Sequence, residues 1–267
     1  MDDNKKVNFL EVDNKISTIK EIKERELGLI IAEKGFEKEL LIKDYHITIL
    51  LFLMKELNGL YFKGGTALQM TMLDHIRISE DIDFTVTKPI KEVKKEIIFE
   101  IKKSKTFGKI TQDKDVDKFT RLIVPYKSNI GEGTIYIDLN ERAKLLTKPE
   151  MLKMKHLYPN IPDFSFSCLS KEEMIAEKIA AAIGRNKPRD HYDIYRIIKA
   201  KLPINIELVK KKCRQSGYEF DIVRMFNKAK TLHNRWNEDM IPLMAEEVEF
   251  KDVMKTLAEY FNLKAHR

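Results

Sequence analysis

In the stretch YFKGGTALQMTMLDHIRISEDIDF, residues 61–84, two adjacent glycines precede a short apolar segment, and Asp81 and Asp83 stand one residue apart at the head of a strand-like run. Strand side chains alternate between faces, so Asp81, Asp83 and Thr85 point one way while Ile82, Phe84 and Val86 point to a core. The same rule in TIYIDL, residues 134–139, sends Ile135, Ile137 and Leu139 inward and leaves Tyr136 and Asp138 on the opposite face. If the two strands are neighbours, three carboxylates converge. Like charges gathered on one face cost free energy, and a divalent cation with oxygen ligands offsets that cost. Magnesium uses a few carboxylates, keeps some waters and is completed by substrate phosphates. Upstream, a glycine turn that runs straight into a helix lets backbone N–H groups approach a phosphate, and Thr66 adds a hydroxyl. The combination implies phosphates held at Gly64, Gly65 and Thr66, and metal held at Asp81, Asp83 and Asp138. Displacement at phosphorus would take place between them, one metal activating the attacking hydroxyl and the other stabilising the leaving pyrophosphate.

Each piece also has a plainer reading: a simple turn for the glycines, a solvated edge or a helix cap for the acids. The pieces gain force from their order of strand, GG[ST], helix, DxD strand and distant acid-bearing strand.

The elements that must position these residues follow from periodicity. Residues 15–57 read as helical, with the apolar run ITILLFLM at 47–54 as a buried helix, too short to span a membrane. Leu60–Lys63 reads as a strand, TALQMTML as a helix, DIDFTV as a strand and IKEVKKEIIFEIKK as an amphipathic helix. FTRLIVPY and TIYIDL read as strands joined by the turn-rich KSNIGEG. From about residue 145 the strand signals fade. SKEEMIAEKIAAAIG places Ser170 and Glu173 as a capping box and Gly184 as a C-terminal stop. RDHYDIYRIIKAK restarts a helix after Pro188, and the remainder is mostly helical. The expected fold is α+β: a small mixed sheet with leading helices over residues 1–147, then a helical domain over 148–267, with the linker near Pro149.

The chain has 267 residues, 49 Lys and Arg against 42 Asp and Glu, and a formal charge of +7, which leans towards polyanionic partners. Lysine-rich stretches at 91–105 and 209–214 read either as solvated helix faces or as part of a nucleic-acid surface. Cys168 and Cys213 lack a CxxC spacing, so neither a disulfide framework nor a zinc site is indicated, and a reduced cytoplasmic setting is expected. The N-terminus has no apolar core of a secretory signal.

FKGGTAL followed by RISEDIDF resembles the DNA-polymerase-β-like nucleotidyltransferase superfamily, and within it the AbiEii/AbiGii-type toxin branch. Phe62, Lys63, Gly64, Gly65, Thr66, Arg77, Ser79, Asp81, Asp83 and Phe84 fit the branch's pattern. The branch also carries a lysine helix followed by RDxxD, supplied here by Lys178, Arg189, Asp190 and Asp193. Independently of the branch, Lys178 interrupts an apolar helical stripe of Ile175, Ile179 and Ala182, where it either snorkels or serves a site. Asp190 and Asp193 share a face with Ile194 and Ile197, and read either as caps of the helix start or as site residues.

The resemblance implies a sheet that acts as a nucleotidyltransferase palm, with Asp81, Asp83, Lys178, Asp190 and Asp193 as catalytic residues. It implies NTP binding by Lys63, Gly64, Gly65, Thr66, Arg77, Ser79, Lys178 and Arg189, with Lys178 neutralising the triphosphate and Arg77 or Ser79 bracing its far end. The cofactor would be Mg²⁺, with Mn²⁺ as a substitute. The protein would be the toxin of a toxin–antitoxin or abortive-infection pair, with a cognate antitoxin, adding nucleotides to RNA, chiefly the tRNA 3′ acceptor end, and so blocking translation. A soluble monomer is expected. Two other readings stay open: the same site acting on a small-molecule or protein hydroxyl, and a non-catalytic nucleotide or RNA binder. A costly pair of carboxylates beside a phosphate turn weighs against the second.

Overall fold

The computed structural model describes residues 19–263, so residues 15–18 of the expected first helix and the N-terminal stretch before them lie outside the described residues. The expected continuous helix over 15–57 is two helices, α1 (Glu24–Lys34) and α2 (Lys38–Met54). Gly35 ends α1 in the left-handed conformation, φ 74°, which a residue without Cβ adopts cheaply. Helix α2 is buried nearly all round, as its uninterrupted apolar run requires. Most of its buried polar groups find partners inside, His46 Nε2 excepted. The Thr48 hydroxyl donates to the Asp44 carbonyl, Asp44 accepts from the Tyr158 hydroxyl at 2.8 Å, and His46 stacks on Tyr126. Burial pushes the His46 pKa down to about 4, so the ring is neutral at physiological pH.

The sheet contains β1 (Leu60–Lys63), β2 (Asp81–Val86), β3 (Thr111–Val116), β4 (Phe119–Ser128), β5 (Gly131–Asn140), β6 (Glu150–Lys153) and β7 (Ser165–Cys168). Their order is β3-β4-β5-β2-β1-β7-β6. Strands β2 and β5 run parallel, as do β1 and β7, and the other pairs are antiparallel. Alternation does what it predicts: Leu122, Val124, Ile135, Ile137 and Leu139 are fully buried on one face, where α2 packs on β5. Helix α4 (Ile90–Lys102) buries Val93, Ile97 and Ile101 and packs on α2, leaving most of its lysines in solvent.

Strand signals were expected to end near residue 145, yet β6 and β7 extend the sheet beyond it. Both are four residues long; they pair with each other and join the rest of the sheet through the parallel contact of β7 with β1. The expected division at 147/148 therefore leaves two sheet strands on its C-terminal side. Strand β3 also went unread, because its TQDKDV is exposed at every position and carries no apolar alternation.

The helical half holds α5 (Lys171–Arg185), α6 (Pro188–Lys199), α7 (Ile206–Gln215), α8 (Ala229–Met240) and α9 (Phe250–Tyr260). Ser170 caps α5 by accepting from the Glu173 N–H, but the Glu173 carboxylate does not close the expected box. It accepts instead from the Leu146 and Thr147 N–H groups and pairs with buried Lys212 at 2.7 Å. Lys212, within the stretch expected to offer surface charge, thus points inward. Gly184 lies inside α5, and Asn186 in the left-handed conformation ends the helix. A Cβ on Gly184 would meet the Tyr218 hydroxyl at 2.7 Å.

Candidate active site

Lys63 is extended, and the chain turns at Gly64 (φ 82°) into the short helix α3 (Gly64–Leu68), which continues as a π-turn over Gln69–Leu73. Close packing explains both glycines. A Cβ on Gly64 would press into the Asp83 carboxylate, with Cγ at 2.9 Å, and one on Gly65 would meet an Arg77 terminal nitrogen and Ser79 Oγ, each at 2.9 Å. The Thr66 side chain is buried and its hydroxyl donates to the Asp81 carbonyl. The hydroxyl expected at a phosphate therefore ties the turn to the DxD strand. Gly64→Ala should lower the melting temperature by a few degrees, since a left-handed φ and a displaced carboxylate each cost on the order of 1 kcal/mol or more. It should also reduce transfer by at least about tenfold; wild-type activity would show that Asp83 need not sit against the turn.

In register, Asp83 faces Asp138 across the parallel β2–β5 pair and Asp81 faces Tyr136. Asp81, Asp83 and Asp138 line one cavity of about 150 Å³ together with Gly65, Arg121, Lys178, Arg185 and Arg189. They do not form a three-carboxylate set. Arg121, opposite Asp138 on β4, clamps that carboxylate with two hydrogen bonds of 2.7 Å. Among the described residues no three His, Cys, Asp or Glu side chains are placed to share an ion. Asp81 and Asp83 differ from Asp138, since neither has an ion-pair partner within 4 Å among the described residues. Burial raises the Asp83 carboxyl to about 6; Lys63 opposes the rise, and Asp138 and Asp81 add to it. Asp81 is raised as well, by burial, against the pull of Lys43 and Arg189. Two adjacent carboxylates whose ionisation is disfavoured, on an otherwise ordered strand, are a donor set that fits a hard divalent cation.

Behind the acids lies an ionic chain that is buried except at its Arg185 end. The Arg77 side chain, 2% exposed, donates from Nε and a terminal nitrogen to the two Asp193 oxygens at 2.7 Å. Lys178 bridges Asp193 (3.0 Å) and Asp190 (3.1 Å), and Arg185 grips Asp190 with bonds of 2.7 and 2.8 Å. Burial alone would raise both aspartates; for Asp193, Arg77 and Lys178 outweigh it, and for Asp190, Lys178 and Arg185 do so, which holds both below the ordinary carboxylate range. Neither acid caps a helix. The cap of α6 is Lys187 with Pro188 first in the helix, and Asp190 lies two residues further on. Lys63 pairs with Glu177 at 2.9 Å, and Lys63, Gly64, Asp83, Glu177, Lys178 and Arg185 line a second cavity of about 190 Å³.

The structure thus brings Gly65, Arg77, Ser79, Asp81, Asp83, Asp138, Lys178, Arg189 and Asp190 to one cavity, and Lys63 and Gly64 to its neighbour. Asp83, Lys178 and Arg185 line both. Thr66 and Asp193 stand behind the lining. Arg121, Arg185 and Glu177 were not singled out from sequence. A two-residue turn at Asn129–Ile130 fixes Arg121 opposite Asp138, so the register of the hairpin, once assumed, was the available signal.

A family model described as nucleotidyl transferase AbiEii toxin, type IV TA system, matches residues 52–259. The fold is shared with MenT4, a nucleotidyltransferase toxin from Mycobacterium tuberculosis H37Rv, at 21% identity and a TM-score of 0.65, covering 90% of each chain. It is also shared with JHP933 from Helicobacter pylori at 17% identity and a TM-score of 0.60, covering 85% of this chain and 92% of that one. No curated protein matches the sequence.

Proposed function

This chain belongs to the AbiEii nucleotidyl transferase toxin family of type IV toxin–antitoxin systems, and on that premise we propose that it transfers a nucleoside monophosphate from an NTP to RNA. The acceptor in this reading is the 3′ end of tRNA, and Asp81 and Asp83 hold the Mg²⁺. What supports the reading is one cleft in which two carboxylates without cationic partners face Lys178, Arg185 and Arg189 beside a glycine turn. Acids alone suit a cation and bases alone suit an anion, whereas a metal-bound triphosphate needs both.

The chain's own groups divide the work. The glycine turn brings backbone close to the phosphates, and Lys178 and Arg185 add fixed positive charge where pyrophosphate leaves. Asp83, ionising near neutrality, takes up metal at little protonation cost above pH 6. When bound, Mg²⁺ would neutralise phosphate oxygens and acidify the attacking hydroxyl. Asp138, clamped by Arg121, lines the β5 wall of the cleft. Among the described residues no helix is long and apolar enough to cross a membrane. A cytoplasmic monomer, acting on cytoplasmic tRNA and opposed by its cognate antitoxin, is the setting this reading requires.

The test is incubation with total tRNA, Mg²⁺ and each α-labelled NTP in turn, resolved on a denaturing gel. A labelled tRNA band with one NTP is expected. Blank RNA lanes with label on proteins or small molecules would move the acceptor to another hydroxyl. Lys178→Met, which keeps the buried stem, should lower kcat/KM for the NTP by about tenfold to a hundredfold, the size of a lost charge-assisted bond. Unchanged NTP kinetics would leave Lys178 as a structural bridge between Asp190 and Asp193.

A further inference from the structure

We infer that the open face of β3, β4 and β5 is a stacking platform for the unpaired 3′-terminal nucleotides of the acceptor, centred on Tyr136. The inference rests on the nucleotidyltransferase reading above and assigns the surface that receives its acceptor end.

Sheet order supplies the first step. The glycine turn leaves β1 on one side of Asp81 and Asp83, and Lys178 and Arg185 descend from α5, which packs against α3 on that same side. β5, β4 and β3 lie on the other side. In phosphoryl transfer the attacking and leaving oxygens are roughly in line. With the triphosphate against the glycine turn, the attacking hydroxyl must come in across β5. A group entering there passes over Tyr136, the residue opposite Asp81 in register.

Composition supplies the second step. One face of these strands is sealed by the core, whereas on the active face Tyr136, Ile123 and Phe119 are only half-buried and Val116 is 54% exposed. Ile123 pairs with Tyr136 and Val116 with Phe119, two apolar pairs on one face with the row of Lys114, Arg121 and Asp138 between them. The Tyr136 hydroxyl makes no hydrogen bond among the described residues, and its ring lies 5.3 Å from the Arg121 guanidinium. That guanidinium is fixed by Asp138 and lies over the ring, so its outer plane is the one offered to a base. Lys114, opposite Arg121 on β3 and exposed, stands where a backbone phosphate would run. Aromatic and guanidinium planes with a nearby lysine suit splayed bases, which stack with little regard to sequence. A folded protein or a duplex would present neither unpaired base faces nor a strand thin enough to lie along β5.

Three variants test the proposal: Tyr136→Ala, Tyr136→Phe, and Ile123→Glu, which places a charge on the platform without touching the acids. Each is first checked for a wild-type melting curve. Expected is a rise of about tenfold in KM for tRNA in Tyr136→Ala, with KM for the NTP unchanged, and near-wild-type behaviour in Tyr136→Phe. Ile123→Glu should impair tRNA use at least as much. Binding of a short fluorescein-labelled oligoadenylate, followed by anisotropy, should weaken in the same order. Active Tyr136→Ala and Ile123→Glu proteins with wild-type KM for tRNA and wild-type oligoadenylate affinity would overturn the platform while leaving the transferase intact. A wild type that neither labels tRNA nor binds the oligonucleotide would overturn the RNA reading itself, and the platform with it.

Discussion

Asp83→Asn should abolish nucleotide transfer and, in the metal-free protein at pH 7.5, raise the melting temperature. The loss of activity is expected to be about a thousandfold or more, because the amide keeps the shape of the side chain but loses the charge that holds a cation at the reacting phosphate. The gain in stability follows from the raised pKa. The unfolded Asp83 ionises near the ordinary value of 3.8 and the folded one near 6. Between those values the folded state binds more protons than the unfolded state, so stability falls as pH rises from about 4 to 6 and stays lowered above that. Asparagine has no proton to lose and avoids this penalty. The difference should reach about 1–3 kcal/mol above pH 6, or several degrees in a chain of this size, and vanish below pH 4. Added Mg²⁺ should stabilise the wild type above pH 6 and leave Asp83→Asn unmoved. An asparagine variant that melts lower than the wild type at pH 7.5 would mean that a cation of the chain already holds the carboxylate, and the metal would have to be placed elsewhere.

That pH signature was half legible in the sequence. Alternation in DIDFTV and TIYIDL placed Asp81, Asp83 and Asp138 on the non-core face, and the glycine turn leading directly into a helix was readable as well, because both signals are local. What was not legible is which charges meet across long separations. Arg121 holds Asp138, Glu177 holds Lys63, and Arg185 holds Asp190. Each of those pairings depends on register or on helix packing, and a single sequence gives neither. The missed strands follow the same logic. β3 has no buried face to produce a pattern, and β6 and β7 are too short to show one and owe their place to β1. Helices with a buried stripe, such as α4 and α5, were read to within a residue or two, since their cores and their periodicity coincide.

Arg77→Ala should be the most destabilising single change near the site, costing about 3–5 kcal/mol, as expected when one partner of a buried ion pair is removed and the other stays charged. The resemblance assigns Arg77 to a phosphate. The structure buries its side chain and spends both arms of its fork on Asp193, while the remaining terminal nitrogen donates to the Ile78 carbonyl at 2.9 Å. Its neighbours make it a joint between the two halves of the chain. Arg77 bridges to Met244, the Ile78 N–H donates to the Leu243 carbonyl, and Asp193 belongs to α6. Removing the guanidinium leaves a fully buried Asp193 with Lys178 and a 3.3 Å bond from Gln69. Arg77→Lys should recover little, because an ammonium cannot reproduce two parallel bonds to one carboxylate. A double-mutant cycle with Asp193→Asn, read by denaturant unfolding, should give a coupling of a few kcal/mol. The pH dependence separates this deficit from the Asp83 effect. The folded Asp193 ionises below 3.8, so its contribution is complete above about pH 4 and lost only as pH falls through that lower value. The Arg77→Ala deficit should therefore be flat from pH 5 to 8, just where the Asp83→Asn gain grows in. A variant that melts like the wild type but shows a raised KM for the NTP would return Arg77 to the phosphate site and deny it the joint.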